Sequence, residues 1–212
     1  MNTQDMIAQL ALEPAAPPLK TGRIALAIVA GVTLFAVLFL AFAGLRADLL
    51  GHLVKPLVAA KTLLPALLCV LALSQVMRWL RPGAAAGIGL RGLAGLALLG
   101  VLPLCLTAML ASPASLWFAD LALIKVVECL GFILLISAPA LAVAFALVRQ
   151  GAPTAPARTG AMLGLGVSAG ATAGYSFYCM MDNPLFYVTW YGVAILTVTA
   201  LGALAGARLL RW

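Results

Sequence analysis

Acidic side chains are scarce in this 212-residue chain: six Asp and Glu against thirteen Lys and Arg. Charged residues of both signs make up only 9% of it. A soluble domain carries about 25%, so the chain lacks the polar surface that a water-exposed fold requires. Histidine is nearly absent. His52 alone cannot supply a bis-haem membrane cytochrome, which needs several. Four cysteines are present without a Cys-x-x-Cys, which argues against thioredoxin-like chemistry, a compact zinc site and a thiol–quinone oxidoreductase. The first 21 residues are polar and proline-bearing, without the apolar core of a cleavable signal.

What is present is apolar. Hydrophobic residues make up 65% of the chain and the mean hydropathy is +1.14. At about 20 apolar residues per spanning helix, the length holds about six spans. The expected fold is therefore an all-α integral membrane protein, a six-transmembrane-helix bundle. Its spans fall near residues 24–44, 56–79, 92–111, 121–148, 160–177 and 185–207, with Pro65, Pro103 and Pro139 as internal kinks. Residues 1–12 predict a short amphipathic helix. Thr3 would cap it, Asp5 suits its positive end, and Met6, Ile7 and Leu10 share one side. Such a helix cannot bury that face alone: it is a frayed terminus or lies on the bilayer, or it docks on a partner. Pro14, Pro17 and Pro18 make residues 13–21 an extended linker. The chain thus divides into residues 1–22, helix and linker, and residues 23–212, the membrane domain.

Basic residues orient the bundle. Nine (Lys20, Arg23, Arg78, Arg81, Arg91, Arg149, Arg158, Arg208 and Arg211) fall on one side and four (Arg46, Lys55, Lys61 and Lys125) on the other. The richer side is expected to be cytoplasmic, which places both termini inside. The formal charge of +7 is then a membrane-edge property, and no basic arm points to direct nucleic-acid contact. The lipid bilayer is the implied partner. The alternative of a small-solute or metal transporter needs polar groups at broken helices near the membrane centre, and the internal prolines lack such companions.

The chemically distinctive residues cluster toward the outer side. Cys129 is about two turns into the fourth span and Cys179 ends the fifth. Equal depth on two helices is what a disulfide or a shared soft-metal site requires. Glu128, Met180, Met181 and Asp182 stand beside them as auxiliary candidates. Lys125 and Glu128, three residues apart, form a pair on one helix face. Cys69 and Cys105 read as small apolar residues. Asn183 and Pro184 make a helix start, with Asp182 adding negative charge at the positive helix end. Tyr187, Trp190 and Tyr191 read as interfacial anchors. Gly160, Gly164, Gly170 and Gly174, with Gly202 and Gly206, mark closely packed helices.

Four pieces of the chain resemble the NrsF family of six-span membrane anti-sigma factors, the negative regulators of sigma F. They are Asp5-Met6-Ile7-Ala8-Gln9-Leu10-Ala11; Glu128-Cys129-Leu130; Val148-Arg149-Gln150-Gly151-Ala152-Pro153-Thr154; and Cys179 to Asp182 with Pro184-Leu185-Phe186, Trp190-Tyr191-Gly192 and Arg208-Leu209-Leu210-Arg211-Trp212. The resemblance implies a regulator, not an enzyme, with no resident cofactor. It would hold an extracytoplasmic-function sigma factor at the bacterial inner membrane through the cytoplasmic N-terminus, with Asp5, Met6, Ile7 and Leu10 as contacts. Heavy-metal stress would release the sigma factor. The family's two sensing cysteines match Cys129 and Cys179, where a metal would bind transiently. Met180 and Met181 depart from the proline or acidic residue that family members often carry there.

Overall fold

A computed structural model describes residues 2–12, 19–81, 87–113, 117 and 123–211, without the side chains of residues 9–11, 50, 52 and 53. Pro14, Pro17 and Pro18, most of the 112–120 connection, Trp212 and the side chain of Leu10 therefore lie outside the described residues. Eight helices are found among those described: α1 Thr3–Leu12, α2 Thr21–Ala43, α3 Leu49–Val54, α4 Pro56–Trp79, α5 Leu90–Ala111, α6 Leu123–Val148, α7 Pro156–Tyr175 and α8 Pro184–Leu209. The six stretches expected as spans fall on α2, α4, α5, α6, α7 and α8, of which five are candidate membrane spans by length and composition. The loop expected at residues 45–55 instead contains α3, whose six residues are too few to show a helical period. In α1 the Asn2 carbonyl accepts from the amides of Asp5 and Met6 at 3.1 and 3.2 Å. Thr3 is thus inside the first turn, not ahead of it.

Five helices, α2, α4, α5, α6 and α8, are long and apolar enough to cross a membrane. Their outward faces carry bare Leu, Val and Phe, such as Leu34, Phe42, Leu67, Leu99 and Leu204. An aqueous protein does not expose apolar surface on that scale. The helix α7 does not reach the same hydropathy, because glycine, alanine, serine and threonine fill it. Its position explains how that composition is tolerated. Fourteen of its twenty residues are buried, and it packs on α8, α4, α6 and α2. It is the axis around which the other helices stand, whereas α5, with only Leu93 buried, is the most peripheral of the six long helices.

The axis is tight because it lacks side chains where helices cross. A Cβ on Gly164 would come within 2.6 Å of the Val198 carbonyl oxygen, and one on Gly206 within 2.7 Å of the Gly160 Cα. Gly160 and Gly202 face each other's carbonyls in the same way. These are backbone-to-backbone contacts between α7 and α8, and van der Waals packing of this kind drives helix association in lipid. On the opposite side α4 meets α7 differently. Leu73 and Ala72 lie over Gly166, and Cys69 over Gly170, so side chains ride on a smooth glycine surface.

Two apolar clusters fill the bundle. One gathers Ile28, Leu73, Val76, Leu80, Phe145, Met162 and Leu163 toward the end where α2 starts and α4 ends. The other gathers Cys129, Ile133, Ile136, Tyr175, Cys179, Tyr187 and Tyr191 toward the opposite end.

Replacing Gly164 by Val drives a side chain into the α8 backbone, and such overpacking costs about 1–3 kcal/mol. Gly164→Val is expected to lower the melting temperature in detergent. Gly192→Ala, at an α8 position with nothing within 4 Å of the added Cβ, is expected to leave it unchanged or raise it.

Candidate functional site

The chain from α7 to α8 is short, and each end is locally determined. Helix α7 unwinds through turns at Ser176, Phe177 and Tyr178, whose amides bond back to Thr172, Gly174 and Tyr175. Helix α8 starts as expected: the Asn183 side chain accepts from the Leu185 amide at 3.0 Å, and Pro184 opens the first turn. Between them residues 179–183 have no regular structure, so their carbonyls need acceptable donors from elsewhere.

Two cations supply them. Lys61, in the second turn of α4, is 1% exposed. Its ammonium donates to the Cys179 carbonyl at 2.7 Å, the Met181 carbonyl at 2.8 Å and Asp182 Oδ1 at 3.4 Å. Arg46, between α2 and α3, is 5% exposed. It grips Asp182 with two bonds, Nη1 to Oδ1 at 2.9 Å and Nη2 to Oδ2 at 3.0 Å. It also donates to the Cys179 carbonyl at 3.1 Å and to Asp48 at 2.7 and 3.1 Å. A guanidinium has five N–H donors and an ammonium three, and these contacts engage all of them. The cations face the protein interior. The carboxylates face outward, with Asp182 35% and Asp48 64% exposed.

Three further bonds fasten the same region. The Arg46 amide donates to the Phe177 carbonyl at 3.0 Å. Thr62 and Ser176 hydroxyls meet at 2.6 Å. The Tyr187 hydroxyl donates to the Leu57 carbonyl at 2.9 Å. The first turns of α4, the α2–α3 connection and the Cys179 loop are thus one hydrogen-bonded unit.

The thiols lie directly inside this unit. Cys129 is fully buried and Cys179 is 4% exposed, and both belong to the same apolar cluster. Tyr175 belongs to the same cluster as both thiols, and its ring packs against Tyr191 with centroids 5.9 Å apart. The Tyr191 hydroxyl is enclosed beside Cys179 yet finds no hydrogen-bond partner among the described residues. Phe39, Phe132 and Tyr178 close the cluster through ring contacts with centroids 5.0–5.8 Å apart.

The sequence-predicted residues divide accordingly. Cys129 and Cys179 come together. Met181 packs against their cluster, while Met180 is 66% exposed. Glu128 pairs with Lys125 at 3.0 Å on the exposed face of α6, turned away from Cys129. Asp182 is the anionic partner of Arg46 and Lys61 and not merely a charge at the α8 dipole. Tyr187 and Tyr191, expected as interfacial anchors, are each 3% exposed and face the core, where the Tyr187 hydroxyl bonds to the Leu57 carbonyl and both rings pack in the thiol cluster. Asp5, Met6 and Ile7 are exposed on α1, far in sequence from this unit. Arg46, Lys61, Tyr175 and Tyr191 are the residues that sequence reasoning missed. The signal for Lys61 was its place six residues into an apolar span, where an unpaired charge would be costly.

The carboxyl of Asp182 is raised by burial but lowered more strongly by the Arg46 hydrogen bonds and the Lys61 charge, and it titrates below the ordinary 3.8. A depressed carboxyl stabilises the fold fully above its unfolded pKa, and that stability is lost as pH falls through the folded value. Stability is therefore expected to be level with respect to Asp182 from neutral pH down to about 4 and to fall below that; melting in detergent across pH 3–7 reads it. Asp182→Asn leaves two buried cations short of their anion and is expected to cost about 3 kcal/mol, the lower end for a broken buried pair because Asp182 is partly exposed. Asp48→Asn, at an exposed carboxylate, is expected to cost under about 1 kcal/mol. Equal losses in the two variants would contradict this division.

The family profile described as "NrsF: Negative regulator of sigma F" matches residues 10–212. A probable anti-sigma-F factor NrsF from Azospira oryzae is 32% identical over 218 aligned residues, covering 100% of both chains. The anti-sigma-F factor NrsF of Caulobacter vibrioides is 30% identical over 227, again covering 100% of both. No solved structure matches the chain. With both the profile and full-length relatives in agreement, and with the Cys129 and Cys179 segments inside the matched region, the chain belongs to the NrsF family of negative regulators of sigma F.

Proposed function

We propose that the protein is a membrane anti-sigma factor that holds an extracytoplasmic-function sigma factor at the bacterial inner membrane and releases it on a heavy-metal or redox signal from the periplasm. One observation carries the sensor half of this reading: Cys129 and Cys179, fifty residues apart in sequence, are buried in one cluster. Two thiols suit a soft, two-coordinate metal ion or a disulfide. Groups of three or more His, Cys, Asp or Glu suited to a metal are not found among the described residues, and this reading uses the two thiols alone. No resident cofactor is part of this reading, and the metal acts as a signal.

The N-terminal half of the reading rests on α1. Met6 and Ile7 are 46% and 60% exposed, and Leu12 is 84% exposed. An amphipathic helix whose described side chains are exposed suits docking of the helix-in-groove kind. Its attachment to the start of α2 supports a site at the bundle end opposite the thiols. With α7 as a sixth, enclosed span, both termini lie on one side, and the basic excess there makes that side cytoplasmic. Transport is the weaker alternative: Ser168 and Thr172 in the buried α7 bond to carbonyls of their own helix at 2.7 and 2.8 Å and form no solute-binding set.

Deleting residues 2–12 is expected to reduce co-purification of the sigma factor at least tenfold while the membrane domain still accumulates; undiminished co-purification would remove the docking role. Cys129→Ser and Cys179→Ser are each expected to abolish at least two-thirds of the response of a sigma-dependent reporter to cadmium or dichromate. A full response in both variants would remove the switch and leave the anti-sigma role standing.

A further inference from the structure

We propose that Lys61 is the positioning residue through which the thiol pair acts on the rest of the fold, and that α4, not the α7–α8 pair, carries the change to the opposite end of the bundle. The inference rests on the sensor reading above and deepens it.

Three observations converge on Lys61. First, its ammonium holds the carbonyl of Cys179 itself, at 2.7 Å, and that of Met181 at 2.8 Å. When the Cys179 sulfur changes partner, its main chain turns with it, and Lys61 is the group that must follow or let go. Second, Arg46 holds the same carbonyl but stands in a connection between helices. Of the two cations only Lys61 is on a helix that runs the length of the bundle, 24 residues, or about 36 Å. Third, Pro65 lies one turn below Lys61. Proline has no N–H, so the Lys61 carbonyl lacks its normal partner inside the helix, and the turn that bears Lys61 is hinged where the load is applied.

The two routes inward differ in stiffness. Helices α7 and α8 are locked backbone to backbone at Gly160, Gly164, Gly202 and Gly206. Helix α4 lies on the smooth glycine face of α7 at Gly166 and Gly170, a surface over which it can shift without unlocking teeth. At its far end α4 grips the root of the N-terminal segment. Arg81 Nη2 donates to Thr21 Oγ1 at 2.8 Å, and Leu80 packs at Gly151 beside Leu19. Thr21 is the first residue of α2, where the linker from α1 joins the membrane domain. A movement that starts at the Cys179 carbonyl therefore reaches the base of the docking helix along one element, with a polar bond at each end.

The test uses the full-length protein in lipid nanodiscs, carrying Cys69→Ala and Cys105→Ala so that two thiols remain. Hydrogen–deuterium exchange is followed before and after two probes, and thiol state is read by mass on the same samples. Cadmium ion displaces the two thiol protons as two Cd–S bonds form. Diamide takes one hydrogen from each thiol, is reduced to its hydrazine, and leaves an S–S bond. In the otherwise unaltered protein both probes are expected to raise exchange at least threefold in residues 56–65 and, together with these, in residues 19–24 and 78–81. In Lys61→Met the thiols react to the same extent, but the change at residues 19–24 and 78–81 falls below one-third of that value, and Lys61→Arg restores it. The inference is overturned if residues 19–24 respond in Lys61→Met as they do with Lys61 present, or if the response runs through residues 156–164 and 198–206 and bypasses α4. Should Lys61→Met fail to accumulate, the regional pattern with Lys61 and with Arg at that position decides by the same criterion. Thiols that react with no change in exchange anywhere would instead overturn the sensor reading, and this inference with it.

Discussion

Two cations removed from water govern the end of the bundle that carries the Cys179 loop. Burying an ion of this kind costs several kcal/mol unless its charge and every donor are matched. Arg46 and Lys61 are 5% and 1% exposed, so the surrounding chain has little freedom. It must bring two carboxylates and two free carbonyls to fixed points. The irregular run from Cys179 to Asn183 does so because it is not a helix: its carbonyls are unspent and can turn inward. A helix continued through this stretch would use the same carbonyls internally and strand both cations. The loop conformation, the α2–α3 connection and the first turns of α4 thus meet one solvation requirement. The burial of Cys179 follows from them.

The two ends of the bundle are built on opposite principles. At one end helices approach through missing side chains, and the contact is short-ranged, apolar and insensitive to charge. At the other end they are joined by charge-assisted bonds and aromatic rings, which are directional and respond to chemistry. A thiol pair placed among glycines would have little to disturb. Here the pair lies beside a network in which Lys61 and Arg46 share the Cys179 carbonyl, so the main chain of one thiol is bonded directly to both cations.

Much of this was legible in the amino-acid sequence. The bounds expected for the second span, 56–79, coincide with α4, since Pro56 starts it and Trp79 ends it. The cap at Asn183 and Pro184 and the glycine contacts of α7 and α8 were also legible, because each depends on local geometry that a few residues encode. The co-burial of Cys129 and Cys179 followed from equal depth on two spans. What was not legible depends on which face a residue turns. Lys61 counted as one more charge on the outer side, and only the rotation of α4 directs it inward. Tyr187 and Tyr191 have the composition and depth of anchors, and their inward direction is set by the thiol cluster and by the Leu57 carbonyl. Glu128 adjoins Cys129 in sequence, yet adjacent helical positions point about 100° apart, and it faces Lys125 instead.

Helix α7 has a further consequence for how the protein is made. It is the least hydropathic of the six long helices and nearly all of its surface is covered by protein. Lipid alone is a poor solvent for such a segment, whose glycine faces offer little apolar area until α8 and α4 cover them. Its place in the bundle therefore depends on the neighbours that cover it. Helix α4 precedes it along the chain, and α8 follows after only the short Cys179 loop. The short loop that carries Cys179 also joins α7 and α8 as a closed hairpin, each supplying the surface that the other lacks.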